Sequence, residues 1–100
     1  MGKQVIWSAQ ADDSFDIIVE YLNTEWSFKE VEQFVIIVLD ITEHISIFPQ
    51  MFPEFNERKI RKALINPNIS LLYKVSNDQI ELLTFWNNKQ DPAKLKSIIN

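Results

Sequence analysis

The basic side chains are the groups of this sequence best suited to chemistry, and they are unevenly spread. Four of the ten Lys and Arg residues lie within Arg58–Lys62, and Lys74, Lys89, Lys94 and Lys96 follow. Such cations can hold a phosphate group by charge and hydrogen bonding. The whole chain, however, has a net charge of −4 and a pI near 4.9, which argues against a broad electrostatic contact with nucleic acid. Any such contact is therefore expected to be local.

Other catalytic and metal-binding arrangements find no support in the sequence. The one histidine, His44, falls inside a predicted helix, where a solvated or helix-end role is expected. Asp12 and Asp13 suit the start of a helix better than an acid–base pair. No His, Asp and Glu residues have metal-ligand spacing, and neither a glycine-rich phosphate loop nor a serine nucleophile motif occurs. We therefore expect no metal and no cofactor.

The elements that must position the cations include a predicted β-hairpin within residues 68–86. Alternating apolar residues run from Ile69 to Val75 and from Ile80 to Trp86, around an Asn-Asp turn. A strict alternation places Leu72, Leu83 and Phe85 on the face opposite Tyr73 and Trp86. Apolar groups on both faces are typical of central strands that are covered by helices on one side.

A strand and two helices are predicted first, and a second strand directly precedes the hairpin. The first strand is predicted at residues 3–7. Ser8 is a candidate cap for a helix that ends near residues 23–26. Ser27 and Glu30 form a capping box for a second helix of about 21 residues, which Pro49 ends. The core-facing positions of this helix are Val31, Phe34, Val35, Val38, Thr42, Ile45 and Phe48. A loop is predicted at residues 49–57 and a strand at residues 58–65, so the predicted order of elements is β-α-α-β-β-β.

Ile36 and Leu39 lie off the apolar stripe of the second helix. Two interpretations are open: the first helix or the sheet covers them, or they form a surface for a partner, since contiguous exposed apolar patches usually mark interfaces.

Length and composition predict one domain over residues 1–100, because 46% hydrophobic residues suffice for a single core. The chain has no cysteine, so a disulfide framework is excluded. The sequence shows neither the apolar core of a signal peptide nor a run near the roughly 20 apolar residues that span a membrane. A cytoplasmic protein without membrane contact is the expectation.

Six segments, in order along nearly the whole chain, resemble toxins of the RelE/ParE superfamily of type II toxin–antitoxin systems. The match is strongest at the end, where a strand with aromatic residues runs into a basic residue and Asp-Pro. The segments are Val-Ile-Trp-Ser-Ala-Gln-Ala at 5–11, Asp-Ile-Ile-Val-Glu-Tyr at 16–21, Ile-Ser-Ile-Phe-Pro at 45–49, Ile-Arg-Lys at 60–62, Leu-Tyr-Lys-Val at 72–75 and Phe-Trp-Asn-Asn-Lys-Gln-Asp-Pro at 85–92. The resemblance implies an α+β fold in which a helical hairpin packs on a small, mainly antiparallel sheet.

The resemblance also implies a bacterial growth inhibitor, often associated with plasmid stabilisation, that a cognate antitoxin neutralises. One branch of the superfamily, RelE-like, cleaves mRNA on the ribosome and needs cations around the scissile phosphate. Candidates for this role are Arg58, Arg61, Lys62, Lys74 and Lys89. Two other cationic positions of that branch align with Ser70 and Gln90, and its Tyr or His near the end has no counterpart, with Lys96 the nearest candidate.

The resemblance favours the other, non-enzymatic branch, whose ParE-like members inhibit DNA gyrase or topoisomerase. Its ending resembles residues 89–95, and Lys89, Lys94 and Lys96 are then expected to contact the target. Ile36 and Leu39 are the expected antitoxin contacts. A third hypothesis, which the acidic balance of the chain favours, is an inactive family member that serves only as a binding module. A homodimer and a toxin–antitoxin hetero-oligomer are both open.

Overall fold

The computed structural model describes residues 2–55, 59–89 and 93–94. Within these ranges the chain forms one strand, two helices and three further strands, so the predicted α+β order is confirmed. The elements are β1 (Gln4–Trp7), α1 (Ala9–Glu25), α2 (Phe28–Ile47), β2 (Arg61–Asn66), β3 (Ile69–Val75) and β4 (Gln79–Asn87).

The four strands form one sheet in the order β1-β4-β3-β2. β1 pairs with β4 in parallel, and the other two pairings are antiparallel, as the prediction of a mainly antiparallel sheet requires. Both helices pack against this sheet and against each other. Neither of these helices is long and apolar enough to cross a membrane.

Serine side chains begin both helices, as predicted. The Ser8 hydroxyl accepts a hydrogen bond from the Ala11 N–H at 3.0 Å, and Ser27 Oγ accepts one from the Glu30 N–H at 3.4 Å. These bonds satisfy N–H groups that have no partner inside the first turn of a helix. The two caps fix the corner between α1 and α2 and the exit from β1.

Four aromatic rings hold the helical and sheet layers together. Phe15 of α1 lies between Trp7 of β1 at 5.3 Å, Phe34 of α2 at 5.6 Å and Phe85 of β4 at 5.4 Å, measured between ring centroids. These separations are in the favourable range for aromatic pairs. Four elements therefore each contribute one aromatic residue to the same contact point in the core.

The position of Phe85 in this cluster corrects the sequence prediction. Phe85 and Tyr73 both lie in the core between sheet and helices, whereas Leu72, Leu83 and Trp86 form a second cluster on the opposite face. The reason is a β-bulge: Leu72 is opposite Thr84 and Tyr73 is opposite Leu82, so Leu83 has no partner in β3. One extra residue reverses the faces of all later residues in β4.

Two serines of the α1 region bind the backbone of β4 beside the bulge. Ser8 Oγ donates to the Leu83 carbonyl at 2.9 Å, and the Phe85 N–H donates to Ser14 Oγ at 2.9 Å. The pairing of β1 with β4 has already ended, since its last pair is Trp7 with Leu82. Helix α1 thus takes over the hydrogen bonds that a longer β1 would have made.

Two other predictions are wrong in detail. The strand expected from residue 58 begins only at Arg61, because Lys59 has a φ angle of 62° and cannot be part of an extended strand. Phe48, expected in the core, is largely exposed because α2 ends at Ile47 and the chain turns away.

Truncation of the apolar stripe of α2 should destabilise the protein. Phe34→Ala should lower the free energy of unfolding by about 3–5 kcal/mol, and Val38→Ala should also destabilise, because both side chains are buried. Ile36→Ala, on the exposed side of the same helix, is the matched control and should change it by less than about 0.5 kcal/mol. Urea titrations would measure all three, and equal effects would contradict this packing.

The bulge should depend on its serine partner. Ser14→Ala leaves the Phe85 N–H without its acceptor and should lower the free energy of unfolding by about 1–3 kcal/mol. Thr24→Ala removes a hydroxyl from the same helix that bonds only to carbonyls of that helix, so it should have little effect. Thermal melts of the pair test this, and equal melting temperatures would refute it.

Candidate functional site

The sheet face that points away from the helices carries two of the predicted cations. A small apolar cluster lies on this face, formed by Ile60, Leu72 and Trp86 with Phe55 and Leu83 at its edge. Lys62 is paired with Leu72, and its ammonium lies 5.7 Å from the centroid of the Phe55 ring, within the range of a cation–π interaction.

Lys74 is the second cation of that face. It is exposed and follows Leu72 at a spacing of two in β3, which keeps both side chains on one side of the sheet. In the register of the sheet it is directly opposite Glu81 of β4. A carboxylate therefore stands beside this lysine.

Arg61 lies on the other face, although it is adjacent to Lys62 in sequence. Its guanidinium donates to the Phe52 carbonyl at 2.6 Å and lies 3.7 Å from a carboxylate oxygen of Glu54. Its strand partner Tyr73 is buried in the main core and donates its hydroxyl proton to the Pro49 carbonyl at 2.9 Å. Arg61 and Tyr73 together hold the loop after α2 against the sheet.

The cations expected around a phosphate are therefore not brought together among the residues that the structure describes. Arg61 and Lys62 point to opposite faces, because successive side chains of a strand alternate. Ser70, aligned with a cationic position of the RelE-like branch, is fully buried at 0% exposure and donates to Asn88 Oδ1 at 2.9 Å. Arg58 and Gln90 lie outside the described residues.

The expected target-binding lysines lie beyond β4. Lys89 is exposed two residues after the strand, where its backbone N–H donates to Asn87 Oδ1 at 2.9 Å. Lys94 is exposed within the two described helical residues 93–94. Lys96 lies outside the described residues.

A cleft of about 930 Å³ opens beside the loop after α2. Its walls include Phe48, Met51, Glu54, Arg61 and Lys3. Two of the three cations described in its walls bind other parts of the chain: Lys3 donates to the Ser76 and Asn77 carbonyls, and Arg61 donates to the Phe52 carbonyl of the loop. The third, Lys59, is exposed. Most of the positive charge of the cleft is thus used in contacts of the chain with itself.

The largest set of exposed apolar side chains lies on the helices. Ile36 and Leu39 are 52% and 58% exposed, so the helix or sheet contact that would have covered them is not formed. Ile17 and Tyr21 of α1 are exposed in the same way. We call these four residues the outer hairpin face. Helical spacing could have identified Ile17 and Tyr21, since both fall outside the inward-facing stripe of Phe15, Ile18 and Leu22.

Metal binding receives no support from the described part of the chain. No three His, Asp or Glu side chains there lie close enough to hold an ion. His44 is exposed near the end of α2, where its Nδ1 contacts the Asp40 carbonyl at 2.7 Å. This is the helix-end role that the sequence predicted.

The chain is similar to solved structures, whereas no protein-family profile and no curated protein sequence matches it. The chromosomal ParDE toxin–antitoxin system from P. aeruginosa superimposes with a TM-score of 0.71 at 14% identity, covering 85% of this chain and 95% of that one. The chain has the RelE/ParE-like fold. YafQ from E. coli has this fold at a TM-score of 0.58 and 12% identity, covering 93% and 97%. A copper-bound mutant toxin from Helicobacter pylori has it at 0.56 and 17% identity, covering 86% and 94%.

Tyr73 should make stability depend on alkaline pH. Burial raises the pKa of its hydroxyl above the ordinary 10.0, while the nearby charge of Arg61 acts in the opposite direction. The unfolded chain then ionises first, so this contribution to stability is complete below pH 10 and is lost as the pH rises further. Tyr73→Phe should remove that alkaline loss and, at neutral pH, should cost about 0.5–1.5 kcal/mol for the missing bond to Pro49.

Urea titrations at neutral and alkaline pH measure both effects. Tyr21→Phe is the control for the neutral measurement, because Tyr21 is exposed and its replacement should leave the stability at neutral pH unchanged. An unchanged alkaline slope in Tyr73→Phe would contradict the role given to this hydroxyl.

Proposed function

We propose that the protein is the toxin of a type II toxin–antitoxin pair and that it acts in the ParE-like way, by binding DNA gyrase or a related topoisomerase. The proposed RNase alternative requires several cations around one phosphate. The division of Arg61 and Lys62 between the two faces of the sheet is the observation that carries the choice.

The chemistry of mRNA cleavage explains why this observation matters. Attack of a 2′-hydroxyl on the adjacent phosphate builds negative charge, and each missing donor that stabilises such charge typically costs on the order of 100- to 1000-fold in rate. Arg61 is engaged by the Phe52 carbonyl and Glu54, and the buried Ser70 offers no positive charge. Lys62 and Lys74 remain on the open face, with Glu81 beside Lys74.

The fold comparisons give independent support for a toxin. One similar structure is a ParDE toxin–antitoxin system and another is described as a toxin. A ParE-like mechanism needs only an exposed binding segment, and Lys89 and Lys94 are exposed after β4. With such a target the protein would act in the bacterial cytoplasm.

The partner in this proposal is a cognate antitoxin that covers the outer hairpin face, with Ile36 and Leu39 as contacts. Their exposure near each other on α2 supports this assignment, since contiguous exposed apolar patches usually mark interfaces. The result would be a toxin–antitoxin hetero-oligomer.

Two assays on the purified protein separate the mechanisms. We expect inhibition of DNA supercoiling by gyrase and no cleavage of mRNA in a translating extract. Lys89→Ala and Lys94→Ala should weaken the inhibition. Lys29→Ala removes an exposed lysine from α2 instead and should leave it unchanged.

Codon-specific mRNA cleavage with ribosomes would overturn the proposed mechanism. In that case Arg61→Ala and Lys62→Ala should abolish cleavage, because those cations would then hold the phosphate. A protein that inhibits neither supercoiling nor translation but binds its antitoxin would identify the inactive binding module.

A further inference from the structure

Charge is strongly segregated along this chain. The helical hairpin, residues 9–47, contains nine of the fourteen acidic residues and only one of the ten basic residues, Lys29. All nine carboxylates are exposed: Asp12, Asp13, Asp16, Glu20, Glu25, Glu30, Glu32, Asp40 and Glu43. The rest of the sequence has five acidic and nine basic residues, so the hairpin carries a net −8 and the remainder +4.

Several of these carboxylates lie next to the residues of the outer hairpin face in the helical projection. At 100° per residue, Glu32, Ile36 and Glu43 fall on one stripe of α2, within about 40° of each other. Asp40 and Leu39 border this stripe on its two sides. On α1, Asp13 and Glu20 lie on one side of Ile17 and Tyr21, and Glu25 lies on the other. The surface is therefore an apolar strip bordered by negative charge on both helices.

The end of α1 adds to the negative field. A helix C-terminus carries partial negative charge and is stabilised by a cation, yet the last turn of α1 has no basic residue and ends in Glu25. The exposed Trp26 and Phe28 follow at this corner. A positive group supplied by another molecule would complement this position.

The negative charge around the outer hairpin face also decides which kind of molecule can bind there. A second copy that used the same face would place two sets of carboxylates against each other, and an anionic lipid surface would be repelled. A segment with apolar residues on one side and Lys or Arg on the other would pack its apolar side on the strip and pair its cations with the bordering carboxylates.

We infer that the outer hairpin face binds a cationic amphipathic helix of a partner polypeptide. The inference rests on the proposed function in one respect, that this partner is the antitoxin. It adds the chemistry of the segment: basic residues toward the carboxylates of α1 and α2, and apolar residues against Ile36, Leu39, Ile17 and Tyr21.

Two synthetic helical peptides of equal length test the inference on the full chain. Both have the same leucine positions, and the remaining positions are lysine in one and glutamate in the other. Backbone amide shifts in NMR should locate the lysine peptide on α1 and α2. It should bind at least about tenfold more tightly than the glutamate peptide, with an affinity that falls as salt is added.

Matched variants separate the effect of charge at this face from the effect of the net charge of the protein. Asp40→Asn with Glu43→Gln should weaken lysine-peptide binding on the order of fivefold. Asp78→Asn with Glu81→Gln removes the same two charges from the exposed surface of the sheet side and should change it less than about twofold. Ile36→Ser with Leu39→Ser should also weaken binding, whereas Leu64→Ser, an equally exposed apolar position on β2, should not.

Equal binding of the two peptides, amide shifts on the sheet, or equal effects of the two charge-removing pairs would overturn the inference. Circular dichroism melts confirm that each variant is folded. The result is separate from the proposed function: an active gyrase inhibitor that binds neither peptide would refute only the inference. A protein that binds the lysine peptide at this face but inhibits nothing would refute only the proposed function.

Discussion

The bulge in β4 is the constraint on which the rest of the structure depends. Without the bulge, if Leu83 were paired in a regular register, Phe85 would point to the open face of the sheet and Trp86 into the helices. Phe15 would lose a ring partner from β4, and the contact point of four elements would not form. The bulge in turn needs polar partners, and Ser8 and Ser14 supply them. The aromatic core thus depends on the bulge, and the bulge depends on the serines at the start of α1.

This arrangement also determines what each face of the sheet can do. One face is filled by the core, and Arg61 at its margin is used to hold the loop after α2. The open face carries Leu72 and Trp86 with lysines around them, which makes it an apolar surface with scattered charge. Concentrated cationic catalysis needs preorganised groups on one side. The described residues distribute their cations over two sides, an arrangement that the proposed ParE-like mechanism allows.

Local signals explain why the order of elements was predictable. Ser8, Ser27 and Pro49 mark helix ends, and the 3.6-residue period of α2 identifies Phe34 and Val38 as core. The bulge was not predictable, because nothing in the type of Leu83 distinguishes it from its neighbours. The start of β2 was missed because Lys59 adopts a positive φ angle that is uncommon for residues other than glycine. The separation of Arg61 from Lys62, by contrast, follows from strand alternation once both are placed on β2.

The average charge of the chain is a poor guide to its surfaces. A net −4 argues against an electrostatic contact with nucleic acid, but it is the sum of a strongly acidic hairpin and a basic remainder. Fields at protein surfaces depend on local charge, since screening limits each group to about 10 Å at ordinary ionic strength. The two sides can therefore recognise different partners at the same time. A basic segment bound at the hairpin side would therefore leave the field around Lys62 and Lys74, on the open face of the sheet, largely unchanged.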